Sequence, residues 1–428
     1  MKNILIISPH YPPSNLAAVH RSRLFAQHLP AFGWNPIILT VHEDFYEEAL
    51  DWNLHNLIPS GQHIEKVSAF KVTKPRLIGD IGLRGYFQLR RRALELIRSE
   101  KIDFVYISIP SFYMALLGPY LFKRTSVPYG IDYIDPWVHV FPGSDKIFSR
   151  HWFTTQLAKF LEPIAVKHAS LISGVSEGYY KPVFDRNPHL KEQALTAAMP
   201  YGGEESDHDF VSNDFLSNRV NENIIIPKKK SNIFRFVYAG AMLPKAHRPL
   251  IEIFRAIQKN EAIINFPKPE FHFIGTLGTI KPIAQQFGLW ETCVFEYSDR
   301  IPYLEVLKNL DATDGVFILG STEPHYTPSK VYQGVLSKKP ILAVLHKEST
   351  AVNVLNESKA GICVLMDGEK DLDTLGVRFI NHLNQYISWA IEFDPDSVNK
   401  EIFNQYSAKA VTGKLANALS KIKNQPNV

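Results

Sequence analysis

Residues 327–340, Thr-Pro-Ser-Lys-Val-Tyr-Gln-Gly-Val-Leu-Ser-Lys-Lys-Pro, follow an apolar strand pattern at 315–319 and a polar loop at 320–326. The segment predicts a helix with Thr327 as N-cap, Pro328 at its first position and Ser329 beside it. Lys330 and Gln333 then lie one turn apart on one face. A helix N-terminus at the carboxyl end of a strand, with a lysine in its first turn, suits a phosphate. The glutamine could reach a sugar hydroxyl. An ordinary strand–helix–strand crossover with a solvated lysine fits the segment about equally well.

Other loops carry compatible chemistry. In Ala239-Gly240-Ala241-Met242-Leu243-Pro244-Lys245-Ala246-His247-Arg248, Gly240 allows a tight turn, and Lys245 and Arg248 bring charge suited to a pyrophosphate. A plain basic strand-to-helix loop would read the same way. Gly275 ends a further strand-to-glycine turn. The first loop, Ser8 to Asn15, has no glycine, which argues against a dinucleotide pyrophosphate and so against NAD or FAD. His10, Ser14 and Asn15, with His20 and Arg21 on the next helix, suit a polar substrate instead, although the prolines also suit a merely stiff loop. Asp132 and Asp135, with Trp137 beside them, follow a strand and suit sugar recognition or proton transfer. Asp-Pro is equally a turn opener. Asp394-Pro-Asp396 reads as a helix cap. No P-loop, nucleophile elbow or zinc spacing occurs, so neither metal nor cofactor is expected.

These residues need elements to hold them. Strand and helix patterns alternate through both halves, which predicts parallel sheets with helices on both faces. The length of 428 residues implies two or three domains, and an apolar fraction of 45% is ample for two cores. The pattern divides into an N-terminal domain over 1–205, a polar linker over 206–232, a second domain over 233–400 and a C-terminal helical segment over 401–428 that packs back on the first domain. Two such domains would bind ligand at the carboxyl ends of their strands. The net charge of +4 is modest, and residues 1–200 hold the excess, with 22 Lys/Arg against 17 Asp/Glu. Part of it clusters between Lys71 and Arg92, beside Phe70, Tyr86 and Phe87, and could face anionic headgroups or phosphates. A solvated surface is the commoner reason for such a patch. Two cysteines give no disulfide framework. The opening Met-Lys-Asn-Ile-Leu-Ile-Ile-Ser reads as a strand rather than a signal peptide. The longest apolar run, 109–122, is too short to span a bilayer. These features predict a cytoplasmic protein, at the inner face of the cell membrane if the basic cluster meets lipid.

Several segments, in order, resemble retaining glycosyltransferases of family 4, of the bacterial surface-polysaccharide type. They are SPHYPP, VPYGIDYIDPW, SGVSEGY, MPYGGE, FVYAGAMLPKAH, FHFIGTLG, DRIPYLEVLKNLDATDGVFIL and TPSKVYQGVLSKKPILAV. The resemblance covers most of the chain and implies the GT-B architecture, an α/β fold of two Rossmann-like doubly wound domains facing across a cleft. It implies that the second domain holds a nucleotide-sugar. Gly240, Lys245 and Arg248, with Ser329 and Lys330, would cradle the diphosphate, and Gly275 and Thr327 would belong to the same donor-binding set. Arg300, Ile301 and Pro302 would contact the base, and Gln333 the ribose. His10, Ser14, Asn15, Arg21, Asp135 and Trp137 would face the acceptor, with Asp135, Lys245 and Lys330 carrying the chemistry. The chain departs from the family where its paired glutamates read His325 and Gln333, and where its usual arginine reads Ala241. The family's first-domain histidine aligns with Ile134.

The expected activity is therefore transfer of a sugar from a UDP- or GDP-sugar to a hydroxyl of a lipid-linked or polysaccharide acceptor, with no nucleic-acid partner. A non-catalytic relative that only binds or scaffolds, and a nucleotide-sugar epimerase, remain open alternatives.

Overall fold

The computed structural model describes residues 1–76, 78–139, 146–212, 224–260 and 267–422. The chain forms two compact units, Met1–Tyr201 with Ala408–Val428, and Gly202–Ser407.

Unit 1 is built on a seven-stranded parallel sheet in the order β3-β2-β1-β4-β5-β6-β7. Its strands are β1 (Lys2–Ile7), β2 (Trp34–Val41), β3 (His63–Val67), β4 (Ile102–Ile109), β5 (Tyr129–Tyr133), β6 (Leu171–Gly174) and β7 (Leu195–Ala198). The central strands are nearly continuous apolar runs because helices cover both faces; Ile4 to Ile7 and Tyr129 to Tyr133 are buried throughout. The flanking helices used below are α1 (Ala17–His28), α2 (Tyr86–Ser99), α3 (Leu117–Thr125) and α4 (Arg150–Val166).

Unit 2 carries a six-stranded parallel sheet in the order β10-β9-β8-β11-β12-β13. Its strands are β8 (Ile233–Ala239), β9 (Lys268–Ile274), β10 (Val294–Tyr297), β11 (Gly315–Leu319), β12 (Ile341–His346) and β13 (Gly361–Met366). Register puts Phe236 beside Phe271, and their rings stack with centroids 4.9 Å apart. Its helices include α5 (Glu205–Ser212), α6 (His247–Lys259), α7 (Tyr303–Asp311), α8 (Lys330–Leu336) and α9 (Leu372–Ile391). Part of the expected linker is thus helical: α5 packs against α7, and the Tyr303 hydroxyl donates to Asp207 at 3.0 Å. Residues 213–223 of that linker lie outside the described residues.

Helix α8 begins at Lys330, not at Pro328. Thr327 is not its cap; its buried hydroxyl meets that of Thr350 at 2.7 Å. Where the chain enters and leaves unit 2, Gly203 donates to the Tyr406 carbonyl at 2.9 Å. A last helix, α10 (Ala408–Ser420), belongs to unit 1, where Val411, Leu415 and Leu419 join Ile4, Phe25 and Phe104 in one core. Among the described residues no helix is long and apolar enough to cross a membrane.

Candidate functional site

Three strands of unit 2 end together around two glycines. Gly240 follows β8 at φ +109°, and its N–H donates to the Ile274 carbonyl at 2.8 Å. Gly275 follows β9 at φ +74°, conformations that side chains disfavour. A Cβ on Gly275 would sit 3.7 Å from the Cα atoms of both Gly240 and Arg300, so three backbones converge there. Lys330, at the head of α8, reaches across this turn. A Cβ on Gly240 would stand 3.0 Å from its Cε and 3.4 Å from its Nζ. The glycine is what lets the lysine through.

The residue as a whole is half-buried, and its ammonium end is the enclosed part. Lys330 Nζ donates to the Tyr238 hydroxyl at 3.2 Å and the Ala241 carbonyl at 3.5 Å, and lies 4.6 Å above the Tyr238 ring. Burial pushes its pKa down; the neighbouring Tyr326 opposes that shift and the Arg300 charge adds to it. Among the described residues no carboxylate pairs with this lysine. An enclosed cation without a counter-charge favours an incoming anion. Arg300 is exposed and has no ion-pair partner among the described residues. Ile301 and Pro302 follow it, half-buried, with Pro302 starting α7.

Lys245, Arg248 and Gln333, expected on the donor side, have partners within unit 2. Lys245 pairs with Glu323 at 2.8 Å. Arg248 points to the surface and pairs with Glu369. Ser329 precedes α8 without a side-chain cap bond. Gln333 stays on the Lys330 face, and its Oε1 lies 2.9 Å from Nε2 of His208 on α5. Sequence reasoning pointed to neither His208 nor Tyr238. Tyr238 had a usable signal, since it sits two residues before the glycine turn. His208 had none, because 125 positions separate it from its partner.

In unit 1, His10 and Ser14 converge on Glu48: His10 Nδ1 is 2.8 Å away, and the Ser14 hydroxyl donates to the same carboxylate. Burial raises the Glu48 pKa, but hydrogen bonds from His10 and Ser14 and the His10 charge outweigh it and hold the group down at about 2. Asn15 is half-buried alongside. Asp135 is exposed. Two expected acceptor contacts are drawn inward instead. Arg21 is 1% exposed; its Nε and Nη2 donate to Asp132 at 2.5 and 3.0 Å, and its Nη1 to the Met199 and Pro200 carbonyls. The Asp132 carboxylate also accepts from Ser173 at 2.9 Å. Arg21 therefore ties α1 to the sheet and, at 1% exposure, is closed to an acceptor. Trp137 is buried against Phe112, with rings parallel to within 5°. The basic cluster is largely neutralised from within. Arg76 pairs with Glu47, Arg91 with Glu95 and Arg92 with Glu65, while Arg84 is buried on the Phe70 and Phe45 carbonyls.

No protein-family model matches the sequence, and no curated protein matches it. Solved structures do. A glycosyltransferase from Rickettsia africae is 14% identical, with 99% of each chain covered and a TM-score of 0.62. HepE from Anabaena, solved with UDP-glucose, is 14% identical over 99% of this chain and 100% of its own, also at 0.62. Sucrose-phosphate synthase from Thermosynechococcus elongatus is 12% identical over 98% and 99%, at 0.56. At such identities the likeness speaks for the fold. With two parallel-sheet units, it is the GT-B fold.

Proposed function

We propose that the chain is a glycosyltransferase that takes a sugar from a nucleoside diphosphate sugar bound in unit 2. The observation that carries this reading is the enclosed ammonium of Lys330, laid over the Gly240 turn with no carboxylate paired to it among the described residues. A diphosphate would supply the missing counter-charge, and Arg300 stands exposed nearby for the same anion. Gln333 can hydrogen-bond ribose hydroxyls without a formal charge.

In the proposed reaction the acceptor O–H oxygen bonds to the anomeric carbon as the bond from that carbon to the β-phosphate oxygen breaks. The leaving phosphate takes the acceptor's proton, and the anomeric configuration is retained. Lys330 stabilises the charge growing on the leaving diphosphate, which lessens the need for a metal. Lys245 joins it only if its pair with Glu323 opens. The UDP or GDP donor and the lipid-linked or surface-polysaccharide acceptor, with action in the cytoplasm at the membrane face, belong to the same proposal, as do Asp135, His10, Ser14 and Asn15 on the acceptor side.

The ties of Lys245 to Glu323 and Gln333 to His208 favour a second reading, a relative that binds nucleotide without turnover. One experiment separates the two. The protein is heated with UDP, GDP and their sugars, and free nucleoside diphosphate is then assayed. At a hundredfold excess over Kd, binding adds about 2.7 kcal/mol, a shift of roughly 5–10 °C for a unit of this size. A shift with diphosphate release supports the transferase, and a shift without release supports the binder. The absence of a shift, or an unchanged shift in a folded Lys330→Ala variant, removes the assigned cradle.

A further inference from the structure

Helix α4 of unit 1 buries one face and carries an apolar stripe on the opposite one. Its inner face is set by Thr155, Ala158, Glu162, Ala165 and Val166, all buried. Its outer face carries Phe153, Leu157, Phe160 and Ile164, exposed by 54, 42, 69 and 45%. Their spacing of i, i+4, i+7 and i+11 places them in one stripe along the solvent side. Phe148, just before the helix, extends it, with its ring 6.2 Å from Phe153. Single exposed apolar residues need no explanation, but a contiguous stripe of them does.

The exposed charged side chains of the helix and its C-cap have one sign. Arg150 and Lys167 are exposed at the two ends of the stripe, and Lys159 is exposed on the flank of the helix. The helix's one acidic residue, Glu162, is buried and turned inward, accepting from Arg186 at 2.7 and 2.9 Å. The adjoining helices continue the pattern. Arg124 of α3 lies over the Tyr120 ring at 5.4 Å, and Arg90 of α2 lies between Tyr120 and the exposed Phe87, at 4.9 and 5.3 Å.

We infer that α4 is an interfacial helix that docks unit 1 on an anionic lipid surface. An apolar stripe flanked by cations, with aromatic rings at its edge, is the composition that lies in a headgroup plane. A second copy of the chain is a poorer occupant. Two-fold pairing through this helix would bring cations towards cations, and the helix offers no exposed carboxylate to meet them. The docking face shares only Arg90 and Phe87 with the region between Lys71 and Arg92, whose other arginines are paired or buried internally. The inference does not depend on the transferase reading, because membrane binding is measured without turnover.

The test uses the whole chain and sedimentation with vesicles of phosphatidylcholine, with and without phosphatidylglycerol. The expected result is binding to the anionic vesicles that weakens with salt. Phe153→Ser with Phe160→Ser should weaken it by about tenfold or more, and Lys159→Glu with Lys167→Glu should also weaken it, each with the melting temperature kept. The inference is overturned if the wild type ignores anionic vesicles, binds neutral ones equally well, or binds undiminished after the phenylalanine changes. It is equally overturned if Lys71→Glu with Lys74→Glu removes binding while the α4 variants do not. Concentration-dependent dimers that vanish with the phenylalanines, without vesicle binding, would assign the stripe to a second copy.

Discussion

His208 and Gln333 face each other at 2.9 Å, and through them α5 fixes the amide on α8 that sits one turn beyond Lys330. A carboxylate at this position would present charge to the histidine, whereas the amide presents none. Gln333→Ala should leave a buried ring nitrogen unpaired and cost about 1–3 kcal/mol by urea unfolding. His208→Ala combined with it should cost less than the sum of the two single changes. Additive losses would mean that the contact does not couple the helices.

Gly240→Ala asks two things of a crowded turn. The backbone must hold φ +109°, and the new methyl must displace Lys330. We expect a loss of about 1–3 kcal/mol, together with loss of any nucleotide-induced thermal shift. A variant that keeps both stability and shift would show that the lysine does not depend on the glycine.

Asp132→Ala should be among the most damaging single changes in unit 1. It strands the Arg21 guanidinium inside the protein, at about 3–5 kcal/mol. Arg21→Met together with Asp132→Ala removes both charges and should cost less than Asp132→Ala alone. Thermal or urea unfolding of the three variants decides the point.

Acid should act on the two units in separate windows. His272 is stacked on Phe295 at 4.9 Å, and burial, reinforced by the Arg235 charge, lowers its pKa from 6.5 to about 4. The unfolded chain then binds more protons below pH 6.5. Stability is full above that value and is lost as pH falls toward 4, by at most about 3 kcal/mol. His272→Phe should flatten this part of the curve. Glu48, depressed from 4.5 to about 2, stabilises unit 1 above pH 4.5 and loses that effect as pH falls toward 2. Glu48→Gln should remove the lower window and leave the upper one.

Much of this architecture is legible in the chain. The apolar runs at 3–7, 104–109, 129–133, 234–238 and 341–345 announce buried parallel strands, and they form them. The edge strands β3 (His-Ile-Glu-Lys-Val) and β7 (Leu-Thr-Ala-Ala) were illegible because edges are short, polar and half-exposed. Helix α9 carries a signal of its own. Leu372, Leu375, Phe379, Ile380, Leu383 and Ile387 recur at helical spacing and are all buried. At the candidate site, Gly240 and Lys330 could be picked out because each belongs to a local turn-and-helix pattern. The partners of Arg21, His10 and Gln333 could not, because each pairing is made by tertiary folding between segments far apart in sequence. Chemical type alone could not distinguish a ligand-facing arginine from one that fastens a helix to its sheet.

The placement of α10 bears on how the protein is made. Ile4, Phe25 and Phe104 are among the early residues off the ribosome, yet the side chains that cover them, Val411, Leu415 and Leu419, arrive only after all of unit 2. During synthesis unit 1 must wait with this part of its core uncovered. The later unit can close first, so the usual head-to-tail order of domain folding is reversed at the final step. A chain that ends at Ser407 and is released from the ribosome should be protease-sensitive in unit 1 while unit 2 is protected.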